Sequence, residues 1–206
     1  MEAGNNWEQR YQIGQTGWDR GEISANLLHW IELGLLKPCR ILIPGCGNGY
    51  EVITLAELGF EVVAIDISAT PIKNLSQQLT DKGLSAELIQ ADFFTWQADK
   101  PFDAIYEQTS LCALPPELWS DYENCLYKWL KTTGKVYAQF MQSDQDGGPP
   151  FHCEISKMKA LFQTQRWQWS QQYSTQLTHS SGKYEKLYIA LARWQAINIS
   201  LLKEKY

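Results

Sequence analysis

The chain has 206 residues, 44% of them hydrophobic and 20% charged, with a formal net charge of −5. That length and balance suit one globular domain with a sizeable core and exclude a broad basic nucleic-acid footprint. No apolar run approaches the ~20 residues of a membrane span, and the polar start MEAGNNWEQR has no signal segment. The odd count of five cysteines (Cys39, Cys46, Cys112, Cys125, Cys153), without a C-x-x-C pair, speaks against a disulfide framework or a zinc site and suits the cytoplasm.

Residues 1–22, rich in Gly and Trp, are expected to be irregular. Ser24 is the predicted cap of a helix reaching about Leu36, with Leu27, Leu28, Ile31 and Leu35 on one face. CRILIP is a short, continuously apolar strand of the kind buried on both faces. YEVITLAELG is a helix stopped by Gly59, and FEVVAIDIS a second buried strand. Ser68 is the predicted cap of a helix to about Lys82, closed by Gly83. SAELIQADFF and PFDAIYEQ are predicted as the third and fourth strands. PPELWSDYENCLYKWLKTTG is a helix with proline at its start and Gly134 past its end. KVYAQFMQ is the fifth strand, SDQDGGPPFH a loop, and Ser156–Gln163 a short helix. RWQWSQQYSTQ and EKLYIALARW are two late strands around a polar turn with Gly182.

Strands alternating with helices predict an α/β fold: a doubly wound, seven-stranded, mostly parallel sheet. The last strand pair lacks room for a crossover helix and is expected to be antiparallel. No linker divides the chain, so residues 1–206 are expected to form a single domain. In such sheets ligands bind at the carboxyl ends of strands, near the point where strand order reverses. PGCGNGYEV lies at such an end, and Gly45, Gly47 and Gly49 admit close backbone approach and left-handed conformations. A tight turn without a ligand is the plain alternative. Asp66, about 20 residues after the glycines at the end of the second strand, is placed to hold ribose hydroxyls. Its plain alternative, a helix N-cap, is better filled by Ser68. Together these features point to an adenosine-type ligand. A dinucleotide fingerprint needs a third glycine where this chain has Tyr50.

The G-x-G-x-G run resembles the first motif of class I S-adenosyl-L-methionine (AdoMet) methyltransferases, with a Rossmann-like fold. More of the chain agrees: WEQRYQIGQTGWDRG, PGCGNGYEV, DIS, ADFFTW, FDAIYEQTSLCAL and DGGPPF occur in that order. From Trp7 to the last strands the chain resembles the thiopurine S-methyltransferase superfamily, closest to its thiol and halide methyltransferase branch. The resemblance implies AdoMet as cofactor, S-adenosyl-L-homocysteine (AdoHcy) as product, no metal, a small-molecule acceptor, no nucleic-acid or membrane partner, and a monomer. It further implies that residues 1–22, through Trp7, Tyr11 and Trp18, cover the cofactor. Gly45 then faces the methionine part, Asp66 the ribose, and Asp92 and Phe93 the adenine, with Cys46, Gly47, Ile67 and Gln108 also among the cofactor-binding residues. Gln108 stands where halide and thiol enzymes often have Tyr and thiopurine enzymes have Arg, and is the candidate acceptor-pocket residue.

The reaction so implied is in-line methyl transfer to a soft nucleophile: a thiol, bisulfide or halide. Aromatic faces suit a sulfonium better than a polar cage, because they attract a cation without bonding to it. No catalytic base is assigned. His152 in the loop and Glu107 at a strand end both have plain structural readings. Asp146–Pro150 is either a simple turn or the edge of a lid beside the acceptor. Three other readings stay open: a thiopurine or aromatic thiol S-methyltransferase, a non-catalytic AdoMet-binding module, and a nicotinamide-dependent oxidoreductase.

Overall fold

The computed structural model describes residues 3–170, 176–178 and 184–193. Its parallel strands are β1 (Arg40–Pro44), β2 (Glu61–Asp66), β3 (Glu87–Gln90), β4 (Phe102–Gln108) and β5 (Leu130–Gln142). Three more strand segments follow, β6 (Trp167–Gln168), β7 (Gln176–Thr178) and β8 (Tyr184–Arg193). β8 runs antiparallel to β5, and β6 and β7 pair antiparallel with β8. The order is β3-β2-β1-β4-β5-β8-β6, so sequence order reverses between β1 and β4. A crevice opens at the carboxyl ends of strands at such a reversal. The described residues thus hold eight strand segments where seven strands are expected. The predicted strand 166–176 is represented by β6 and β7, and 171–175 and the turn at Gly182 lie outside the described residues.

The strands are apolar on both faces because both are covered. Leu42, Val63, Ile65, Phe102, Ile105 and Val136 share a core with α6 (Trp119–Trp129) and α7 (Ile155–Leu161). Their neighbours Ile41, Ile43, Val62, Ala64, Ala104 and Tyr106 pack with α2 (Ala25–Glu32), α3 (Tyr50–Glu57) and α4 (Ala69–Lys82). Alternation of side chains along a strand sends successive residues to opposite layers.

Several elements differ from the sequence reading. Residues 1–22 are not irregular throughout: Ala3–Gln12 form α1. Glu8 and Gln12, one turn apart, hydrogen-bond on its surface, and Glu8 caps α4 from outside. α2 stops at Glu32 instead of about Leu36, and its buried residues are Asn26, Leu27 and Trp30. The large ring of Trp30 sets that face by packing on Tyr106 and Tyr137. Ser24 and Ser68 occupy N-cap positions without a side-chain cap bond. The helix expected to run up to Gly134 is a 3-10 turn (Pro116–Leu118) followed by α6, and it ends at Trp129. Leu130 already pairs with Phe102 while Lys135 pairs with Ala104, so Lys131–Gly134 bulge from the ladder. At Gly134 a Cβ would lie 3.0 Å from the Phe102 carbonyl, which is why glycine sits in that bulge. A further short helix, α5 (Ser110–Ala113), follows β4.

Candidate active site

The turn between β1 and α3 is built from three left-handed glycines, Gly45, Gly47 and Gly49, with φ of 61°, 52° and 74°. Protein neighbours enforce their bareness. A Cβ at Gly45 would fall on the Ser110 hydroxyl, one at Gly49 would lie 2.5 Å from Leu75 Cδ1, and one at Gly47 would lie 2.8 Å from the Tyr11 hydroxyl. Gly49 thus performs the helix-packing task that a dinucleotide fingerprint gives its third glycine, one position before Tyr50. Cys46 lends backbone to the cavity wall, while its thiol is buried in the core and burial pushes its pKa well up.

Asp66 locks this turn. One carboxylate oxygen accepts from the Gly47 N–H (2.9 Å) and the other from the Ser68 N–H (2.9 Å). The group is buried, and desolvation raises its pKa against the lowering effect of those backbone donors. The tips of β1 and β2 are therefore tied together through one side chain. Glu51, in the first turn of α3, accepts from the Ser24 N–H at 3.1 Å, and burial raises its pKa too.

The N-terminal segment closes the other side. Trp18 stands edge-on to Trp7 (5.0 Å) and Tyr11 (5.5 Å), and the Arg10 guanidinium lies over Trp7 and Trp18 at 5.2 and 5.9 Å. Part of the aromatic π surface thus already faces a cation. Burial and the nearby Asp66 raise the Tyr11 pKa. Two side-chain latches hold the segment down. Glu8 accepts from Thr70 N–H (3.0 Å) and the Thr70 hydroxyl (2.5 Å) at the start of α4. Asp19 accepts from the Asn48 amide and from the Tyr50 hydroxyl at 3.3 Å.

The third wall follows β3 and β4. Asp92 accepts from the Phe94 N–H (2.9 Å), and the Phe93 ring packs on Tyr122 at 5.1 Å. At the end of β4, the Gln108 carbonyl accepts from the Tyr106 hydroxyl (2.6 Å), and Thr109 takes a left-handed φ of 64° to start α5. The loop after β5 returns here: the Phe151 N–H donates to the Cys112 carbonyl (2.7 Å), and Pro149 and Pro150 reach the wall. His152 binds within its own loop, accepting from the Asp144 N–H, and Glu107 accepts from the Leu111 N–H inside the core.

These walls enclose one cavity of about 1300 Å³. Trp7, Tyr11, Trp18, Gly45, Cys46, Gly47, Asp66, Ile67, Asp92, Phe93 and Gln108 all line it, so the fold gathers every sequence-predicted site residue. It adds lining residues that sequence reasoning missed, among them Arg10, Arg20, Glu51, Ser110 and Met141. Glu51 follows the glycine motif directly and was legible from that position; Met141, in an ordinary strand, carried no signal. Six lining residues are acidic (Asp19, Glu22, Glu51, Asp66, Asp92, Asp121) and three basic (Arg10, Arg20, Lys128), a balance that favours a cationic guest. Among the described residues no group of three or more His, Cys, Asp or Glu could hold a metal ion, and no helix is long and apolar enough to cross a membrane.

Comparison with known proteins bears on the family and the fold. A probable thiol methyltransferase 2 of Arabidopsis thaliana is 31% identical over 158 residues, 75% of this chain and 70% of that protein. A thiocyanate methyltransferase 1 of Brassica oleracea is 31% identical over 153 residues, 73% of this chain and 68% of that protein. The same fold occurs in Burkholderia thailandensis 1,6-didemethyltoxoflavin-N1-methyltransferase, solved with its substrate and AdoHcy: TM-score 0.73, 16% identity, 92% of this chain and 86% of that one. The family model described as thiopurine S-methyltransferase (TPMT) matches residues 2–197. That match removes the nicotinamide-dependent reading. The chain belongs to the thiopurine S-methyltransferase family and is an AdoMet-dependent methyltransferase.

Proposed function

We propose that the protein moves a methyl group from AdoMet to a small soft nucleophile, a thiol, bisulfide or halide, by in-line displacement. One observation carries the reading: the left-handed glycine turn, locked by Asp66, opens at the strand-order reversal into a cavity that Asp92 and Phe93 also line. Bare backbone at Gly45 and Gly47 flanks the methionine part of AdoMet, with Cys46 contributing main chain. Asp66 accepts from the ribose hydroxyls, with Ile67 beside it. Asp92 takes the adenine amine, and Phe93 covers the ring. Residues 1–22 act as the cover of a single domain spanning 1–206, with Trp7, Tyr11 and Trp18 against the sulfonium end.

Bound AdoMet supplies an electrophilic methyl: the acceptor's lone pair forms the new bond to carbon as the methyl–sulfonium bond breaks, and the electron pair of the broken bond stays on the sulfur of AdoHcy. The chain's own contribution is positioning and exclusion of water. The carboxylates of half-buried Glu51 and buried Asp66 favour the cation before transfer, and the rings of the cover hold it without bonding. Gln108, Met141, Pro149 and Pro150 form the acceptor end. No general base is assigned, which suits an acceptor that arrives already ionised; an unperturbed thiol has a pKa of about 8.5.

An aromatic thiol, thiopurines included, is a second acceptor, favoured by the cavity volume. About 1300 Å³ exceeds the roughly 300–1,000 Å³ typical of a single-ligand pocket. Labelled AdoMet offered with thiocyanate, bisulfide, iodide, an aromatic thiol and a thiopurine, with AdoHcy and volatile methylated products followed, tests the proposal. Turnover with a small nucleophile supports it. Turnover with aromatic thiols alone selects the second acceptor. AdoMet binding without AdoHcy from any acceptor leaves a non-catalytic binding module. We further place the protein in the cytoplasm as a monomer, with β6 and β7 as parts of one seventh strand antiparallel to β8. The half-buried thiol of Cys39 and the buried thiol of Cys46, kept protonated by desolvation, fit a reducing compartment.

A further inference from the structure

A chain of buried polar side chains crosses the core between α2, β5 and β4. Ser24, Tyr106, Gln139 and Asn26 are 1, 1, 2 and 7% exposed. Burying such groups is costly unless each is paired, and apolar residues would fill the space at lower cost. Both ends of the chain are cavity residues. Glu51 accepts from Ser24 N–H at one end, and Gln108 accepts from Tyr106 at the other.

The bonds in it run one way. Asn26 Nδ2 donates to Gln139 Oε1 at 3.0 Å. Gln139 therefore turns its nitrogen to the Tyr106 oxygen (2.5 Å) and to Ser24 Oγ (3.1 Å). A hydroxyl has a single proton, and Tyr106, already accepting from Gln139, gives its own to Gln108 Oε1 at 2.6 Å. Gln108 lines the cavity, and with its carbonyl oxygen accepting from Tyr106 the other polar atom of its carboxamide is Nε2, which only donates.

We infer that Tyr106 is a positioning residue, which fixes the Gln108 carboxamide so that an N–H donor, and not a carbonyl oxygen, faces an anionic acceptor. The inference rests on the acceptor end proposed above and adds Tyr106, a further lining residue, to it. A carbonyl at that place would repel a thiolate or thiocyanate; an amide N–H holds the anion without carrying a charge that must later be neutralised. Gln139, one strand further in, decides the polarity of Tyr106 in turn.

Calorimetric titration of the AdoHcy-saturated protein with thiocyanate tests this. Tyr106→Phe keeps the ring against Trp30 and leaves Gln139 the Ser24 oxygen as acceptor. It should weaken thiocyanate binding about tenfold, the effect of one lost hydrogen bond to a charged group, and leave AdoHcy affinity within about twofold. Gln108→Leu should weaken it at least as much, and the double variant no further, because the two act as one unit. Gln139→Glu is the second probe: its carboxylate would draw the Tyr106 proton, turn the chain around and give the same loss. A merely structural role would lower the melting temperature and leave thiocyanate affinity where it was. Unchanged affinity in Tyr106→Phe or in Gln139→Glu, losses that multiply in the double variant, or a wild-type protein that binds AdoHcy but not thiocyanate, each overturns the inference. Failure of the wild type to bind AdoHcy would instead sink the cofactor reading beneath it.

Discussion

The cavity has two walls of opposite construction. The glycine turn and the Asp66 tip are held by backbone: three left-handed residues, a carboxylate accepting two main-chain N–H groups, and side chains of the core pressed against the bare positions. Among the described residues, the N-terminal cover is held through its side chains, Glu8 on Thr70 and Asp19 on Asn48 and Tyr50. A wall made of main chain cannot move without unfolding the β1–α3 turn. A wall held by a few half-exposed hydrogen bonds can open at small cost, because exposed polar pairs contribute little. On the proposed reading, the cofactor would enter past the cover.

The largest expected effect lies in the rigid wall. Gly49→Ala adds a Cβ at a left-handed residue, 2.5 Å from Leu75 Cδ1. Strained backbone and overpacking together should cost about 3 kcal/mol of stability, read from the denaturant midpoint. A loss below about 1 kcal/mol would make that wall as pliable as the cover. Next comes Asp66→Ala. Removing a charged acceptor should weaken AdoHcy binding by about 10- to 100-fold in calorimetry, through the lost ribose contact and the untied Gly47 turn. Unchanged affinity in a folded variant would confine Asp66 to holding the turn.

The same contrast explains what the sequence disclosed. The turn was legible because its physics is local: a left-handed residue that must avoid a neighbour has to be glycine, and a strand buried on both faces has to be apolar throughout. Asp66 was legible for the same reason, at a strand end at the expected distance. The cover was legible as aromatic residues but not as structure. Its helix is short and polar, and the partners that justify it, Thr70, Asn48 and Tyr50, lie tens of residues away. Two local signals misled. KTTG looks like a helix stop, yet pairing of Leu130 with Phe102 starts β5 first and Gly134 serves the bulge. Ser24 and Ser68 look like caps, yet Ser24 joins the Gln139 network and the backbone N–H of Ser68 is taken by Asp66. Tertiary demands outbid local propensity in both cases.

In the cover, Trp18→Ala removes the ring that both Trp7 and Tyr11 meet edge-on. Each such aromatic pair is worth about 0.5–1.5 kcal/mol, so AdoHcy should leave about tenfold faster, seen in stopped-flow fluorescence. The denaturant midpoint should hardly change, because the sheet and its two cores do not depend on this ring. A fall in midpoint without a change in dissociation rate would mean that Trp18 only fastens the N-terminus.

The smallest effect separates the walls by its sign. Burial raises the Glu51 pKa in the rigid wall, whereas the hydrogen bonds from Thr70 lower that of Glu8 in the cover. A raised carboxyl binds its proton more tightly folded than unfolded. Its contribution to stability is present below the unfolded pKa and is lost as pH rises through the folded one. Glu51→Gln should therefore melt about 2 °C above wild type near neutrality, with the gap closing on acidification. A lowered carboxyl behaves oppositely. The Glu8 latch contributes fully above the ordinary carboxylate range and is lost as pH falls through its depressed folded pKa, so acid should speed AdoHcy release in wild type and not in Glu8→Gln. Melting curves and dissociation rates from about pH 3 to about pH 8 measure both signs. If the two carboxylates respond in the same direction, the division into a backbone wall and a side-chain cover is wrong at the level of its electrostatics.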